Sequence, residues 1–159
     1  MSDLFGRILL LKRSPLFTQV ETDELRAVAA ELEEELYMTG ERIFDINEQG
    51  DHAYFLESGK VGISILPDPK RREFVAILGP GDVFGDMNLF DQLPRSGTAH
   101  VLEESRVLSL DQGKMRGLIV SYPELGLGLL HGLSLRLRAM NKLSATFQDI
   151  DSGTADSKP

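Results

Sequence analysis

The spacing of apolar positions changes twice along this chain. Between Asp3 and Lys12, residues Leu4, Ile8, Leu9 and Leu11 recur at helical intervals. They predict a short amphipathic helix that Arg13-Ser14-Pro15 ends. A second helix is expected from about Asp23 to Leu36, capped by Thr22, with Asp23 and Glu24 in its first turn. Leu25, Val28, Ala29 and Leu32 form its apolar face, and Glu33, Glu34 and Glu35 belong to its acidic one. From Tyr37 to about Leu110 the pattern becomes short β-rich runs, at 42–44, 53–56, 60–65, 73–78, 97–101 and 106–110. Turn signals separate them: Thr39-Gly40, Gly50-Asp51, Ser58-Gly59, Pro67-Asp68-Pro69 and Gly79-Pro80-Gly81. Val61, Ile63 and Ile65 alternate as one inward row. Such a series predicts a closed antiparallel barrel or jelly roll.

After Asp111 helical spacing returns. Lys114 to Val120 reads as one short helix, ended by Tyr122-Pro123, and Glu124 to about Phe147 as a longer one. The longer helix carries a stripe of Leu125, Leu129, Leu133, Leu137, Met140 and Leu143. The stripe suits packing on the barrel or a second copy of the chain. Gly126, Gly128 and Gly132 each cost that helix about 1 kcal/mol against alanine. They serve close packing or soften the helix. Residues 151–159 are expected as a disordered tail after a single domain over 1–150.

Composition narrows the function. With 159 residues, 42% hydrophobic and 26% charged, the chain suffices for one domain with a core. It has no cysteine, which removes disulfides, thiolate catalysis, iron–sulfur clusters and cysteine–zinc sites. Met1-Ser2-Asp3-Leu4 lacks the basic start of a signal peptide, and no apolar run approaches the roughly 20 residues of a membrane span. The expectation is a cytoplasmic protein without a membrane partner. A net charge of −8 argues against autonomous DNA binding, and Arg136, Arg138 and Lys142 read as a solvated helix face. His52, His100 and His131 lie too far apart in sequence for a His-x-His metal pair. With no nucleophile elbow or Walker loop either, no enzyme, metal or cofactor is expected.

The candidate chemistry lies in Phe84-Gly85-Asp86-Met87-Asn88-Leu89 and Pro94-Arg95-Ser96-Gly97-Thr98. A glycine turn offers backbone N–H groups to an anion. Arginine supplies a fork of donors for phosphate oxygens. A carboxylate only accepts, so it pairs with a hydroxyl and repels phosphate. Together they suit a ligand with one phosphate and one sugar hydroxyl.

More landmarks occur in order: Ser14-Pro15-Leu16-Phe17, Gly40-Glu41-Arg42-Ile43-Phe44, Gly50 to Leu56, Ser58-Gly59-Lys60-Val61, Leu78 to Gly85, Pro94-Arg95-Ser96 and Tyr122-Pro123-Glu124-Leu125. With these the chain resembles the cyclic nucleotide-binding domain family, from about Leu11 to Met140. The family includes bacterial catabolite activators, protein kinase A regulatory subunits and cyclic-nucleotide-gated channels. The resemblance implies a mainly β fold, an eight-stranded antiparallel jelly roll with N-terminal helices and a C-terminal lid helix. It makes Gly85 to Arg95 a phosphate-binding cassette, with Arg95 on the cyclic phosphate and backbone N–H groups of Gly85 to Asn88 completing the cradle. Asp86 would accept the ribose 2′-hydroxyl, and Ser96 would meet phosphate or a guanine. The implied ligand set is Phe84, Gly85, Asp86, Met87, Asn88, Arg95, Ser96 and Gly97. Val61-Ile63 and Phe74-Val75-Ile77 would touch the base, and the helix from about Arg138 to Phe147 would lie over it.

Departures fall in the cassette. Asp86 stands where the family usually has Glu, and Asn88 and Gly97 where it usually has Ala. Asn47 stands where Gly is frequent, and Asn tolerates the left-handed turn. About twelve residues follow Phe147, too few for the helix-turn-helix domain of the family's transcription factors. The expected function is a stand-alone sensor of cyclic AMP or cyclic GMP that moves its C-terminal helix to signal to a protein partner. Cyclic AMP ranks first by family frequency, and a cyclic dinucleotide is a further ligand class. The alternative is a degenerate domain that binds no nucleotide and serves as an interaction or dimerisation module through that helix.

Overall fold

A computed structural model describes the backbone of residues 3–156 and the side chains of residues 3–144. Helix α1 (Leu4–Arg13) begins at Asp3, whose carboxylate accepts from the Gly6 N–H at 2.8 Å. A 3₁₀ turn (Pro15–Phe17) leads to α2 (Thr22–Ala30). Its cap position is Glu21, which makes no side-chain cap bond, so Thr22 is the first helical residue and not the cap. The expected continuation to Leu36 fails as well. Glu33–Tyr37 is strand β1, paired antiparallel from Glu33 opposite Ser109 to Tyr37 opposite Ser105. Glutamate favours helix only weakly, and ladder pairing outweighs it. Glu33 and Glu34 suit an exposed edge, where they meet Lys114 at 2.7 Å and Arg106 at 3.4 Å.

The remaining strands are β2 (Arg42–Phe44), β3 (His52–Ser64), β4 (Ala76–Leu78), β5 (Val83–Phe84) and β6 (Thr98–Asp111). Among the described residues there are six strands, where eight were expected. The physical reason is the continuity of β3 and β6. Each runs unbroken through a bend at which their mutual register shifts, between Leu56 and Val61. One half of β3 pairs with β5 and the other with β4; one half of β6 pairs with β1 and the other with β2. Gly59, at φ +103°, lies in the bend, where a Cβ would fall 2.5 Å from the Glu104 carbonyl.

Because β3 is covered on both faces, its alternate residues feed two cores. Ala53 and Phe55 join Leu11, Phe17, Leu25, Leu108 and Leu125 under the helices. Tyr54, Leu56 and Val61 join Phe44, Phe84, Ala99 and Val107 inside the roll. The inner core reaches the candidate site through Phe44 and Phe84.

Helix α3 (Gln112–Ser121) starts at Asp111, which caps it by accepting from the Lys114 N–H at 3.0 Å. Helix α4 (Pro123–Asp156) follows. Its first turns are packed: Leu125 and Leu129 are buried, and Cβ atoms at Gly128 and Gly132 would lie 2.8 and 3.0 Å from the Gln19 and Leu16 carbonyls. The glycines therefore serve close approach. Past Leu133 the stripe is uncovered, with Leu137, Met140 and Leu143 all exposed. Side chains of the tail expected over 151–159 lie outside the described residues. Among those described, no single helix is long and apolar enough to cross a membrane.

Candidate functional site

The cassette begins where β5 ends. Gly85 takes the left-handed conformation at φ +70° and turns the chain into a 3₁₀ segment, Asp86–Leu89. A Cβ on Gly85 would lie 2.5 Å from Nη1 of Arg95. The turn thus needs glycine both for its backbone and for the arginine behind it. A cavity of about 370 Å³ opens here, a size usual for small-molecule sites. Every residue of the implied ligand set, from Phe84 through Asn88 and from Arg95 to Gly97, lines it, with Phe44, Ile63, Asp91, Leu93 and Pro94.

Arg95 is 5% exposed. Its backbone is pinned by pairing with Glu48 and Asn47, the latter at φ +68°. Its guanidinium donates through Nη1 to the Gly85 carbonyl (3.1 Å) and to Oδ1 of Asn88 (3.0 Å). Nη2 donates to the His52 carbonyl at 2.9 Å. All three acceptors are neutral. Nε has no partner, and among the described residues no carboxylate forms an ion pair with Arg95. The guanidinium carbon lies 4.1 Å from the Phe44 ring centroid and 5.7 Å from that of Tyr54. Burial pulls the guanidinium below its usual pKa. The result is a desolvated positive charge, held in shape by neutral oxygens and rings, at the wall of an open cavity.

Asn88 organises the rest. Besides accepting from Arg95, its amide nitrogen donates to the Leu93 carbonyl at 2.7 Å and to Asp91 Oδ1 at 3.1 Å. Gln112, the first residue of α3, donates to the Asn88 and Asp91 carbonyls at 3.0 and 2.8 Å. Gly97 is crowded: a Cβ would fall 2.9 Å from the Ser64 carbonyl. The carboxylate of Asp86, 14% exposed, lies 3.3 Å from Nη1 of Arg136 on α4.

Other expected base contacts are only partly brought together. Ile63 lines the cavity, whereas Val61 is fully buried in the inner core. Val75 and Ile77 are exposed and do not line it. Phe74 lies away from the cavity, 5.2 Å from the His100 ring and against Gly62. The extension of β4 over residues 73–75 is absent; Phe74 packs against Gly62 of β3 and His100 of β6, and the Val75 N–H donates to the Ile63 carbonyl at 2.8 Å. No described residue of α4 lines the cavity, so the expected lid does not cover it there. Residues not anticipated are Gly50, His52, Gln112 and Arg136. A Cβ at Gly50 would lie 2.8 Å from Cδ of Arg95. Gly50 and His52 act through backbone space or a carbonyl, and Gln112 and Arg136 are distant in sequence. The one detectable signal was the Gly50-Asp51 turn.

An antiparallel roll with helices at both ends, and a buried arginine without an ion-pair partner among the described residues at its cavity wall, define the class of this domain. A cyclic nucleotide-binding domain model matches residues 34–122, more than half of the chain, and the chain belongs to that family. It is 34% identical over 132 residues to a CRP-like cAMP-activated global transcriptional regulator of Mycobacterium tuberculosis, covering 83% of this chain and 59% of that protein. It is 32% identical over 128 residues to a cyclic AMP receptor protein of Thermus thermophilus, covering 80% of this chain and 59% of that one. The chain thus spans less than two thirds of these curated relatives. Among solved structures, the N-terminal domain of a transcriptional regulator from Streptomyces coelicolor superimposes with a TM-score of 0.77 at 29% identity, covering 84% of this chain and 93% of that one.

Proposed function

We propose that this domain is a cyclic nucleotide sensor, with cyclic AMP as its first-ranked ligand, that signals to a protein partner through α4. Arg95 carries the reading. A buried guanidinium with a free Nε and no carboxylate partner is costly, and a phosphate in the adjacent cavity supplies the missing charge. In this reading the phosphate meets the Arg95 guanidinium at the cavity wall and the backbone of the Gly85 turn. The sugar 2′-hydroxyl donates to Asp86. Ile63, Leu93 and Phe44 offer apolar surface to the base. The relatives of Mycobacterium tuberculosis and Thermus thermophilus, named for cyclic AMP, support that ligand over cyclic GMP.

The test is isothermal titration with cyclic AMP, cyclic GMP and a cyclic dinucleotide. Saturable heat at micromolar or tighter affinity with cyclic AMP is expected. No heat and no thermal shift with any of them at millimolar ligand refutes the reading. A second reading, an interaction module without nucleotide, is favoured by the exposed Leu137, Met140 and Leu143. That surface suits a second copy of the chain, and sedimentation at two protein concentrations exposes or excludes such a dimer.

A further inference from the structure

The start of β3 brings three ligand-bearing side chains together. Asp51 and His52 are neighbours in sequence, and the β3–β6 register sets His52 opposite Asp111. One nitrogen or oxygen of each lies within 4.8 Å of the others. None of the three lines the cavity of the candidate site. The sequence holds no His-x-His pair, but the pairing of β3 with β6 builds a set of another kind, one imidazole between two carboxylates.

The imidazole is held through Nδ1, which lies 2.6 Å from Oδ1 of Asp51. A carboxylate only accepts, so Nδ1 carries the proton and, in the neutral ring, Nε2 carries the lone pair. Nε2 faces Oδ1 of Asp111 at 3.9 Å, too long for a hydrogen bond. Zn²⁺ sits about 2.0–2.2 Å from a histidine nitrogen or a carboxylate oxygen, so it spans 3.9 Å at a wide angle; closing the pair by about 0.5 Å gives the tetrahedral one. The other oxygen of Asp111 is engaged, since Oδ2 caps α3 by accepting from the Lys114 N–H at 3.0 Å. The cap therefore fixes the carboxylate and leaves Oδ1 on the side of the imidazole. A histidine that gives Nδ1–H to one carboxylate and turns Nε2 toward a further ligand is oriented as metal-bound histidines are. The local charge also favours a cation, because Lys114 spends its ammonium on Glu33 at 2.7 Å. The side chains of Asp51, His52 and Asp111 are 67, 33 and 39% exposed, open to an ion from solvent.

We propose that His52 and Asp111 form a binding site for a divalent transition-metal ion of the zinc class, with Asp51 as the positioning carboxylate behind the imidazole. An imidazole beside a carboxylate suits such an ion better than Mg²⁺ or Ca²⁺, which take oxygen ligands. Two protein ligands leave the remaining positions to water. The inference does not rest on the nucleotide reading. It places the ion on the side chain of the residue whose carbonyl accepts from Arg95 at 2.9 Å.

The full chain, without nucleotide, is titrated calorimetrically with zinc chloride in a mildly alkaline, non-chelating buffer. Wild type is expected to show a saturable single site. Asp111→Asn, which keeps an oxygen to cap α3, should bind zinc about tenfold more weakly or worse, and so should His52→Ala. His131→Ala, on an exposed position of α4, should bind as wild type does. Asp51→Ala should lose about tenfold, and Asp51→Asn should recover most of it, because an amide oxygen still accepts from Nδ1–H. Nitrogen NMR reads the ligand atom: zinc should shift Nε2 of His52 and leave its Nδ1–H in place, with His100 and His131 unmoved. The absence of saturable zinc binding overturns the inference. Wild-type affinity in Asp111→Asn or in His52→Ala overturns it too, since surface carboxylates then hold an adventitious ion only. Displacement of zinc by excess calcium or magnesium marks a site of oxygens alone and overturns the assigned imidazole.

Discussion

Replacing Arg95 by methionine separates a binding residue from a structural one. Methionine is close in length, flexible and uncharged. The change removes three hydrogen bonds, to the Gly85 and His52 carbonyls and Asn88 Oδ1, at 2.9–3.1 Å. A hydrogen bond to a charged group is worth about 1.5–3 kcal/mol, so the loss is several kcal/mol. Against it stands the desolvation of a guanidinium that is 5% exposed, also several kcal/mol. No carboxylate is orphaned, because all three acceptors are neutral, and the open cavity lets water reach them. The net change should lie within about 2 kcal/mol of zero. For a domain of this size that is a melting shift under roughly 8 °C. Ligand at a hundred times its Kd stabilises wild type by about 2.7 kcal/mol, and this gain should vanish in Arg95→Met. The assay is urea unfolding of both proteins with and without cyclic AMP. A loss of more than about 4 kcal/mol without ligand, well beyond that balance, would show that the fold needs Arg95 and would refute the argument. Retention of the ligand-dependent gain would refute it from the other side.

Other perturbations probe the same construction. Gly50→Ala drives a Cβ into the Arg95 guanidinium; titration should show at least tenfold weaker cyclic AMP binding, while overpacking costs about 1–3 kcal/mol in a thermal melt. Unchanged affinity would contradict the assigned arginine position. Asn88→Asp places a carboxylate about 3 Å from Nη1 of Arg95 and beside Asp91, so it neutralises the arginine and repels phosphate. Cyclic AMP binding should fall at least a hundredfold, and near-wild-type titration would show that Arg95 is not the anion site. His100 is buried with Nε2 unpartnered, its pKa lowered by burial and by Arg72 and Arg42, against Asp45 and an Arg71 backbone bond. The unfolded imidazole then takes its proton at higher pH than the folded one, so unfolding free energy should fall as pH drops below about 6.5. His100→Gln should flatten that part of the urea-derived stability profile; an identical profile would dismiss the residue as its source.

The parts of the fold and site that were legible in the sequence are those with local causes. Alternation in Val61 and Ile63 and the glycine turns marked the roll, although Ile65, expected in the same inward row, lies past the end of β3 and is exposed; Asn47 holds the left-handed turn anticipated for it. The cassette residues converge on one cavity because they lie on one short loop, from Phe84 to Gly97. What was illegible depends on pairing at a distance. Leu32 prolongs the helical stripe of α2, but β6 takes Glu33–Tyr37 as an edge strand, and nothing within those five residues announces that partner. The bends that let β3 and β6 continue are matters of register, which the turn signal at Ser58-Gly59 disguises as an ending. Phe74 follows an alternating pattern toward the cavity, yet the loop before β4 carries it to His100. Arg136 read as part of a solvated face because its partner, Asp86, lies fifty positions earlier.

The choice of neutral acceptors around Arg95 accounts for the departure at position 88. A site that binds and releases an anion must hold its cation in shape without neutralising it. Carbonyls from Gly85 and His52 do so on two sides. Alanine at position 88 would leave one Nη1 donor without its present acceptor, and aspartate would answer it with a charge that competes with phosphate. Asparagine meets the Arg95 donor with Oδ1 and uses its amide nitrogen to fasten the Leu93 carbonyl and Asp91. Neither alanine nor aspartate can donate those bonds. The cassette loop is therefore drawn to the arginine through Gly85 and Asn88, with Nε turned to Gly50. Under the proposed function, Asn88 is a device for preorganising the site.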